Sequence, residues 1–151
     1  MEKFESMDHI LDFAMNQEQS AVDFYTKLAA KSQNDEMKLI FEEFAREEIG
    51  HKAKIAQIKE EHDFDLPKEK VMSLNIADYV AYPVVDENIT YAEALKVAMA
   101  REKASFKLYT KLASEASNSA IRSIFQYLAQ EESKHKLRFE IEYDEFVLRE
   151  N

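Results

Sequence analysis

Residues 45–52 read AREEIGHK, and residues 129–136 read AQEESKHK. Both segments keep one Ala, two adjacent Glu, one His and one Lys at the same spacing, at an offset of 84 residues. The same offset aligns residues 14–52 with residues 98–136 without a gap, and 16 of these 39 positions are identical. An internal repeat of this length indicates that one supersecondary unit occurs twice in the chain.

Each copy contains two stretches in which apolar residues recur three and four positions apart. This spacing places them on one face of an α-helix, so each copy predicts a pair of amphipathic helices. The first helix of each pair carries Leu11, Ala14, Met15, Ala21, Val22, Tyr25 and Leu28, repeated as Leu95, Ala98, Met99, Phe106, Tyr109 and Leu112. The second carries Ile40, Phe41, Phe44, Ile55 and Ile58, repeated as Ile124, Phe125, Leu128 and Phe139.

Polar residues mark where these helices begin. Asn34 and Asn118 stand at equivalent places before the second helix of each pair, and Asn is a favoured N-cap. Thr90 is followed three residues later by Glu93, which is the pattern of a capping box. We therefore predict helix N-termini at these three places.

The composition fits a single all-α domain. The chain has 151 residues with one Gly, two Pro and no Cys, too little turn-forming sequence for a hairpin-rich fold. We predict a four-helix bundle over residues 1–151, made of two antiparallel helix pairs. Repeat one covers about residues 6–62, a long crossover about 63–88, and repeat two about 89–149. A short helix is predicted within residues 73–80, and the last helix is predicted to continue towards Leu148.

The charge pattern restricts the partners. Thirty acidic and twenty basic residues give a net charge of -10, which disfavours binding to nucleic acid or to an anionic membrane. No apolar run approaches the ~20 residues of a membrane span, and the N-terminus lacks the basic and apolar pattern of a signal peptide. A cytoplasmic protein is expected.

Six potential metal ligands lie on the apolar faces of the predicted helices. Glu-x-x-His occurs in many Glu-rich helices, and a lone Glu on an apolar face can extend to water, so neither feature is specific alone. Here both occur at matching places in both copies, and two divalent cations would balance four buried carboxylates. We therefore predict two bound metal ions on these side chains: Glu18, Glu48, His51, Glu102, Glu132 and His135.

Four neighbouring residues are candidates for supporting roles. Glu47 and Glu131 each precede a predicted ligand, and each can accept a hydrogen bond from the histidine of the other copy. The alternative for both is a solvent-facing glutamate. Tyr25 and Tyr109 lie two turns from Glu18 and Glu102 on the same helix faces. They are predicted to bond the ligand carboxylates or to relay an electron, the alternative being ordinary core tyrosines.

These motifs resemble the rubrerythrin branch of the ferritin-like superfamily, over residues of about 6–63 and 88–143. The resemblance implies a di-iron centre on the six predicted ligands, with Glu48 and Glu132 as the bridging carboxylates. It implies that Glu47 and Glu131 support the histidines and that Tyr25 and Tyr109 lie beside the centre. It also implies an oxidoreductase that reduces hydrogen peroxide or dioxygen.

The sequence departs from that family in two respects. Rubrerythrins are re-reduced by a rubredoxin-type iron site, which needs four cysteines, so a separate electron-donor protein or small reductant is expected here. The family also carries an extra glutamate one turn after the third-helix ligand, where this chain has Ser105, and the mirror position is Ala21. A ferroxidase or other iron-handling protein, or a manganese or zinc site, therefore stays an alternative. The long crossover and the extended last helix favour a homodimer.

Overall fold

The computed structural model describes residues 2–32, 34–61, 66–81 and 89–150. The predicted all-α fold is confirmed, and four long helices form the body of the molecule. The elements in chain order are α1 (Met7–Lys31), α2 (Asp35–Glu61), α3 (Lys68–Met72), a 3₁₀ helix (Ile76–Tyr79), α4 (Tyr91–Glu115) and α5 (Ser119–Glu150). Within the described ranges, no helix combines the length and the apolar character that a bilayer crossing requires.

The three predicted helix N-termini are confirmed. The Asn34 side chain accepts a hydrogen bond from the backbone N–H of Met37 at 2.8 Å, and the Asn118 side chain accepts one from Ala120 at 2.8 Å. Thr90 and Glu93 form both bonds of the capping box. Since these side chains satisfy backbone donors that a helix start leaves unpaired, they define where α2, α4 and α5 begin.

The long helices form two packed pairs, α1 with α2 and α4 with α5. Short connections join the members of each pair, which makes them antiparallel. Between the pairs, Tyr25 late in α1 meets Glu102 midway in α4, while Tyr109 late in α4 meets Glu18 midway in α1. Helices α1 and α4 therefore also run antiparallel, and α2 and α4 run in the same direction. The connection between α2 and α4 must return along the whole bundle.

That crossover contains more helix than predicted. The 3₁₀ helix falls within the predicted residues 73–80, but α3 was not predicted, because five residues are too few for a clear helical period. Backbone hydrogen bonds attach the crossover to the N-terminal segment, from the N–H of Phe4 to Leu74 and from the N–H of Ile76 to Glu2. Residues 62–65 and 82–88 of the predicted connection lie outside the described ranges.

Two apolar clusters fill the bundle, one towards each end. The first includes Phe4, Leu11, Ile55, Leu112 and Phe125, together with apolar residues of the crossover. The second lies beyond it along the bundle and includes Tyr25, Leu28, Phe41, Leu95 and Phe139. The predicted ligands lie between these clusters, so the centre of the bundle is a polar layer with apolar packing on both sides.

Among the described residues, one further buried charge lies outside that layer. Glu142 in α5 is 1% exposed and accepts a hydrogen bond from the Arg149 guanidinium at 3.2 Å. At the 84-residue offset, its counterpart in the first repeat is Ile58, a core residue. The continuation of α5 to Glu150 places Arg149 seven residues after Glu142, close enough to pair with it. The long last helix thus supplies the partner of its own buried carboxylate.

Replacing Arg149 by Gln is expected to lower the free energy of unfolding by about 1–3 kcal/mol, because it leaves a buried carboxylate without its partner. Urea denaturation followed by circular dichroism measures this change. Adding Glu142→Gln to that variant removes the buried charge and is expected to restore most of the loss. A double variant no more stable than R149Q would show that the pair is not the cause.

Candidate metal centre

All four long helices contribute to the polar layer. Helix α1 supplies one glutamate and α4 another, while α2 and α5 each supply a Glu-x-x-His pair. The three-residue spacing of these pairs places both side chains on the same helix face, one turn apart. Every one of these side chains is buried, with 1% exposure for the glutamates and 3% for the histidines: Glu18, Glu48, His51, Glu102, Glu132 and His135.

The six side chains form two groups that share two members. Glu48 and Glu132 belong to both groups, Glu18 and His51 complete one, and Glu102 and His135 complete the other. In each group every residue offers one ligand atom, and these atoms lie within 4.8 Å of one another. Two ligands on opposite sides of one ion are about 4.2 Å apart, from metal–ligand bonds of about 2.1 Å. Each group is therefore the right size for one ion, and the shared glutamates lie between the two positions.

Each histidine points its Nδ1 atom towards carboxylates of both repeats. Nδ1 of His51 lies 2.8 Å from Oε1 of Glu132 and 3.6 Å from Oε2 of Glu48. Nδ1 of His135 lies 2.8 Å from Oε1 of Glu48 and 3.5 Å from Oε1 of Glu102. The two imidazole rings are nearly parallel, at 13°, with centroids 6.2 Å apart. The arrangement therefore repeats across the interface between the two helix pairs.

Several buried ligand atoms have no hydrogen-bond partner. They include Oε2 of Glu18 and Oε2 of Glu102. Buried polar atoms are normally hydrogen-bonded, and leaving one unsatisfied costs about 1–3 kcal/mol. Lone pairs that converge without donors are the arrangement a cation satisfies. The donor set of carboxylate oxygens and imidazole nitrogens therefore fits two divalent metal ions.

Both tyrosines bond to a carboxylate of the opposite repeat. The Tyr25 hydroxyl donates to Glu102, and the Tyr109 hydroxyl donates to Glu18. Both rings are buried in the apolar clusters next to the polar layer. Each tyrosine therefore holds one carboxylate oxygen and orients the other towards the centre. The sequence placed these tyrosines beside the glutamates of their own helices, and packing pairs them across the bundle.

The predicted histidine supports differ between the two repeats. The Glu47 carboxylate contacts Nε2 of His135, on the far side of the ring from the Nδ1 atom that faces the centre. Glu131 instead accepts a hydrogen bond from the Tyr127 hydroxyl at 3.1 Å and lies 3.3 Å from the Lys134 ammonium. The structure thus places only one of these two glutamates on the histidine of the other copy.

A cavity of about 170 Å³ adjoins the centre. Glu102, Glu132 and Tyr25 form part of its wall, and Arg101 lies beside them. Sequence reasoning did not select Arg101. Its position in the sequence could have drawn attention to it, because it directly precedes the predicted ligand Glu102 and replaces the Gln17 of the first repeat.

Comparisons with known proteins identify the family of this chain. The sequence profile of the Rubrerythrin family matches residues 9–143. The chain belongs to the rubrerythrin family. No curated protein sequence matches the chain significantly.

Two solved structures share the ferritin-like fold with this rubrerythrin-family chain. One is a Thermotoga maritima protein assigned provisionally as a ferritin-like diiron-carboxylate protein, with 23% identity and a TM-score of 0.77. The match covers 96% of this chain and 99% of that one. The other is a hypothetical protein from Pyrococcus furiosus, with 23% identity and a TM-score of 0.72, covering 89% of this chain and 86% of that one.

Burial and mutual proximity shift the pKa values of the ligands away from their usual range. Burial, reinforced by neighbouring carboxylates, raises the pKa of Glu18 and of Glu132 well above that of an ordinary glutamate. Burial would also raise the pKa of Glu48, but its interactions with Glu18 and both imidazoles outweigh burial and lower it. Burial opposes protonation of His135, yet Glu102 and Glu48 raise its pKa to about 11. Without a bound cation, the centre therefore retains protons.

These shifts predict how the stability of the metal-free protein depends on pH. Glu18 and Glu132 bind protons more tightly when folded, so their contribution declines as pH rises from about 4.5 through their folded pKa values. The contribution of His135 to stability declines as pH rises from 6.5, the ordinary pKa of a histidine, towards its folded pKa of about 11. Because the pKa of Glu48 is lowered, its contribution to stability increases with pH, and it does so only at acid pH. The melting temperature of chelator-treated protein is therefore expected to fall between about pH 5 and pH 9.

Circular dichroism melts across this range measure the effect. In E18Q the fall is expected to be shallower, since a permanently neutral side chain replaces one titrating group. In E43Q, which changes an exposed glutamate of α2, the slope should match the wild type. A melting temperature that rises steadily from pH 5 to pH 9 would contradict the interpretation.

Proposed function

We propose that this rubrerythrin-family protein is a di-iron oxidoreductase that reduces hydrogen peroxide or dioxygen with electrons from a separate donor. The observation that supports it best is the pair of buried ligand groups that share Glu48 and Glu132. Carboxylates common to both groups would hold two ions close together, and a pair of metal ions would supply chemistry that suits a two-atom oxygen substrate.

Charge balance supports two divalent ions. Four ionised carboxylates in an apolar bundle carry four negative charges, and an unpaired buried charge costs several kcal/mol. Two divalent cations neutralise them, and the two imidazoles bind as neutral ligands. Since a domain has only about 5–15 kcal/mol of net stability, metal binding is expected to contribute strongly to the folded state.

Iron is the metal we propose for this centre. Carboxylates and imidazoles suit iron, manganese and zinc, so the donors alone leave the metal open. Support for iron comes from the family and from the Thermotoga maritima relative, which is assigned provisionally as a diiron-carboxylate protein. Metal analysis of protein purified from iron-replete cells tests this choice. Two equivalents of iron are expected, and two of zinc or manganese would contradict it.

Reduction of hydrogen peroxide to two waters consumes two electrons and two protons. When bound, two ferrous ions would supply these electrons, one from each ion. The chain itself binds the ions, orients the ligand carboxylates through Tyr25 and Tyr109, and limits the access of bulk water by burying all six ligands. Further turnover requires an external donor, either a protein or a small reductant.

Anaerobic loading with ferrous iron followed by titration with hydrogen peroxide tests this function. One peroxide is expected to oxidise two ferrous ions, with the endpoint followed by absorbance of the ferric product. Glu102→Ala is expected to lose bound iron and fast oxidation, because it removes a ligand from one group. E43Q is the matched control and should behave as the wild type, since that side chain is exposed.

Three outcomes would contradict the proposal. Stable binding of two ferrous ions without fast oxidation by peroxide or dioxygen would exclude the redox function. Assembly into a large shell that accumulates iron would favour iron storage, whereas a homodimer is expected from size-exclusion chromatography. Unchanged metal content and melting temperature in E102A would show that this glutamate is not a ligand.

The unequal supports of the two histidines predict unequal effects on metal affinity. Glu47→Gln is expected to weaken binding about 10- to 100-fold, because partners of this kind fix the orientation and basicity of a ligand histidine. Glu131→Gln should have a much smaller effect, since that carboxylate bonds Tyr127 and Lys134. Competition with a chelator measures both affinities. Equal losses in the two variants would show that the asymmetry has no role in metal binding.

A further inference from the structure

The cavity beside the centre has walls of two kinds. Its polar residues are Gln17, Ser20, Arg101 and Ser105, in addition to the carboxylates of Glu102 and Glu132. Its apolar residues are Ala21, Val80, Ala81 and Val97, and the Tyr25 ring also lines it. The space is partly open to solvent. A small molecule that enters it can meet apolar surface and polar groups together.

Arg101 is the distinctive residue of this wall. Among the described residues that line the cavity, it is the sole cation, and its Nε–H is buried without a hydrogen-bond partner. Its guanidinium lies 5.2 Å from the centroid of the Phe24 ring, a cation–π contact that holds the group in place. A buried Nε–H without an acceptor is costly, and a carboxylate is the acceptor that fits the planar geometry of a guanidinium.

The size of the cavity indicates how large a ligand it can hold. An engineered cavity of about 150 Å³ holds a molecule as large as benzene, so this space exceeds the needs of a two-atom oxygen species. Its apolar wall of Ala, Val and Tyr side chains can receive a short hydrocarbon group. The ligand indicated by both features has one negative charge, a planar acceptor and a small apolar end.

We propose that this cavity is a binding site for a short-chain monocarboxylate, held by Arg101 beside the metal centre. The inference rests on the proposed metal centre, because bound cations would neutralise the Glu102 and Glu132 carboxylates that line the same cavity. Arg101 gives the carboxylate its cationic partner, and Ser105 and Gln17 offer further hydrogen bonds.

Calorimetric titration of the zinc-loaded full chain with sodium acetate tests the site, with neutral acetamide of similar shape as the comparison ligand. Zinc is redox-inactive, so the result does not depend on any oxidation step. Acetate is expected to bind and acetamide to bind far more weakly. R101Q is expected to weaken acetate binding about tenfold or more, since it removes a charged hydrogen-bond partner. Gln is the residue at the equivalent position of the first repeat, so α4 should tolerate it.

K103Q is the matched control, because it makes the same change of net charge on the same helix at an exposed position. Its acetate affinity should stay within about twofold of the wild type. S105L, which fills part of the cavity without changing its charge, should also reduce acetate binding while two zinc ions remain bound. This variant tests the site independently if R101Q folds poorly.

Metal analysis of the same samples separates this inference from the proposed function. Two bound zinc ions with equal binding of acetate and acetamide, or with unchanged acetate affinity in R101Q and S105L, would overturn the carboxylate site and leave the metal centre intact. Failure to hold two zinc ions would contradict the metal centre, and the carboxylate site with it.

Discussion

Four carboxylates converge in the middle of an apolar bundle, and the need to neutralise them governs the rest of the structure. Glu18, Glu48, Glu102 and Glu132 are each 1% exposed, with apolar clusters on both sides. Burial and the neighbouring carboxylates raise the pKa values of Glu18 and Glu132, so in the metal-free protein protons take the place of cations. The same electrostatic cost makes the site favourable for divalent ions. Binding and folding are therefore expected to be coupled.

The duplicated sequence produces a symmetric ligand set in asymmetric surroundings. The histidine and carboxylate contacts repeat from one helix pair to the other. Around them the repeats diverge: the Phe44 ring stacks on His135 at a centroid distance of 4.0 Å, whereas the Tyr127 ring meets the edge of His51 at 6.3 Å. The carboxylates and imidazoles keep the same contacts in both repeats, whereas the aromatic residues around them differ. The two groups of carboxylates and imidazoles therefore have different aromatic neighbours.

The crossover contributes to the site as well as to the topology. It must return along the bundle because α2 and α4 run in the same direction, and on the way its residues Val80 and Ala81 form part of the cavity wall. A hydrogen bond of 3.2 Å from the Gln17 side chain to the Tyr79 carbonyl attaches it to α1. The segment that connects the repeats thereby also shapes the approach to the centre.

The sequence by itself determined the helical fold, the helix N-termini and the six carboxylate and imidazole residues that the structure buries together. Helical periodicity, Asn and Thr caps and a gapless repeat are local signals, and a glutamate on an apolar face stands out without knowledge of its neighbours. Only the tertiary structure decided which residues meet across the bundle. It pairs Tyr25 with Glu102, gives Glu47 but not Glu131 to a histidine, and brings Arg101 to a cavity beside the centre. These contacts depend on how four helices pack, and sequence spacing does not contain the distances between them.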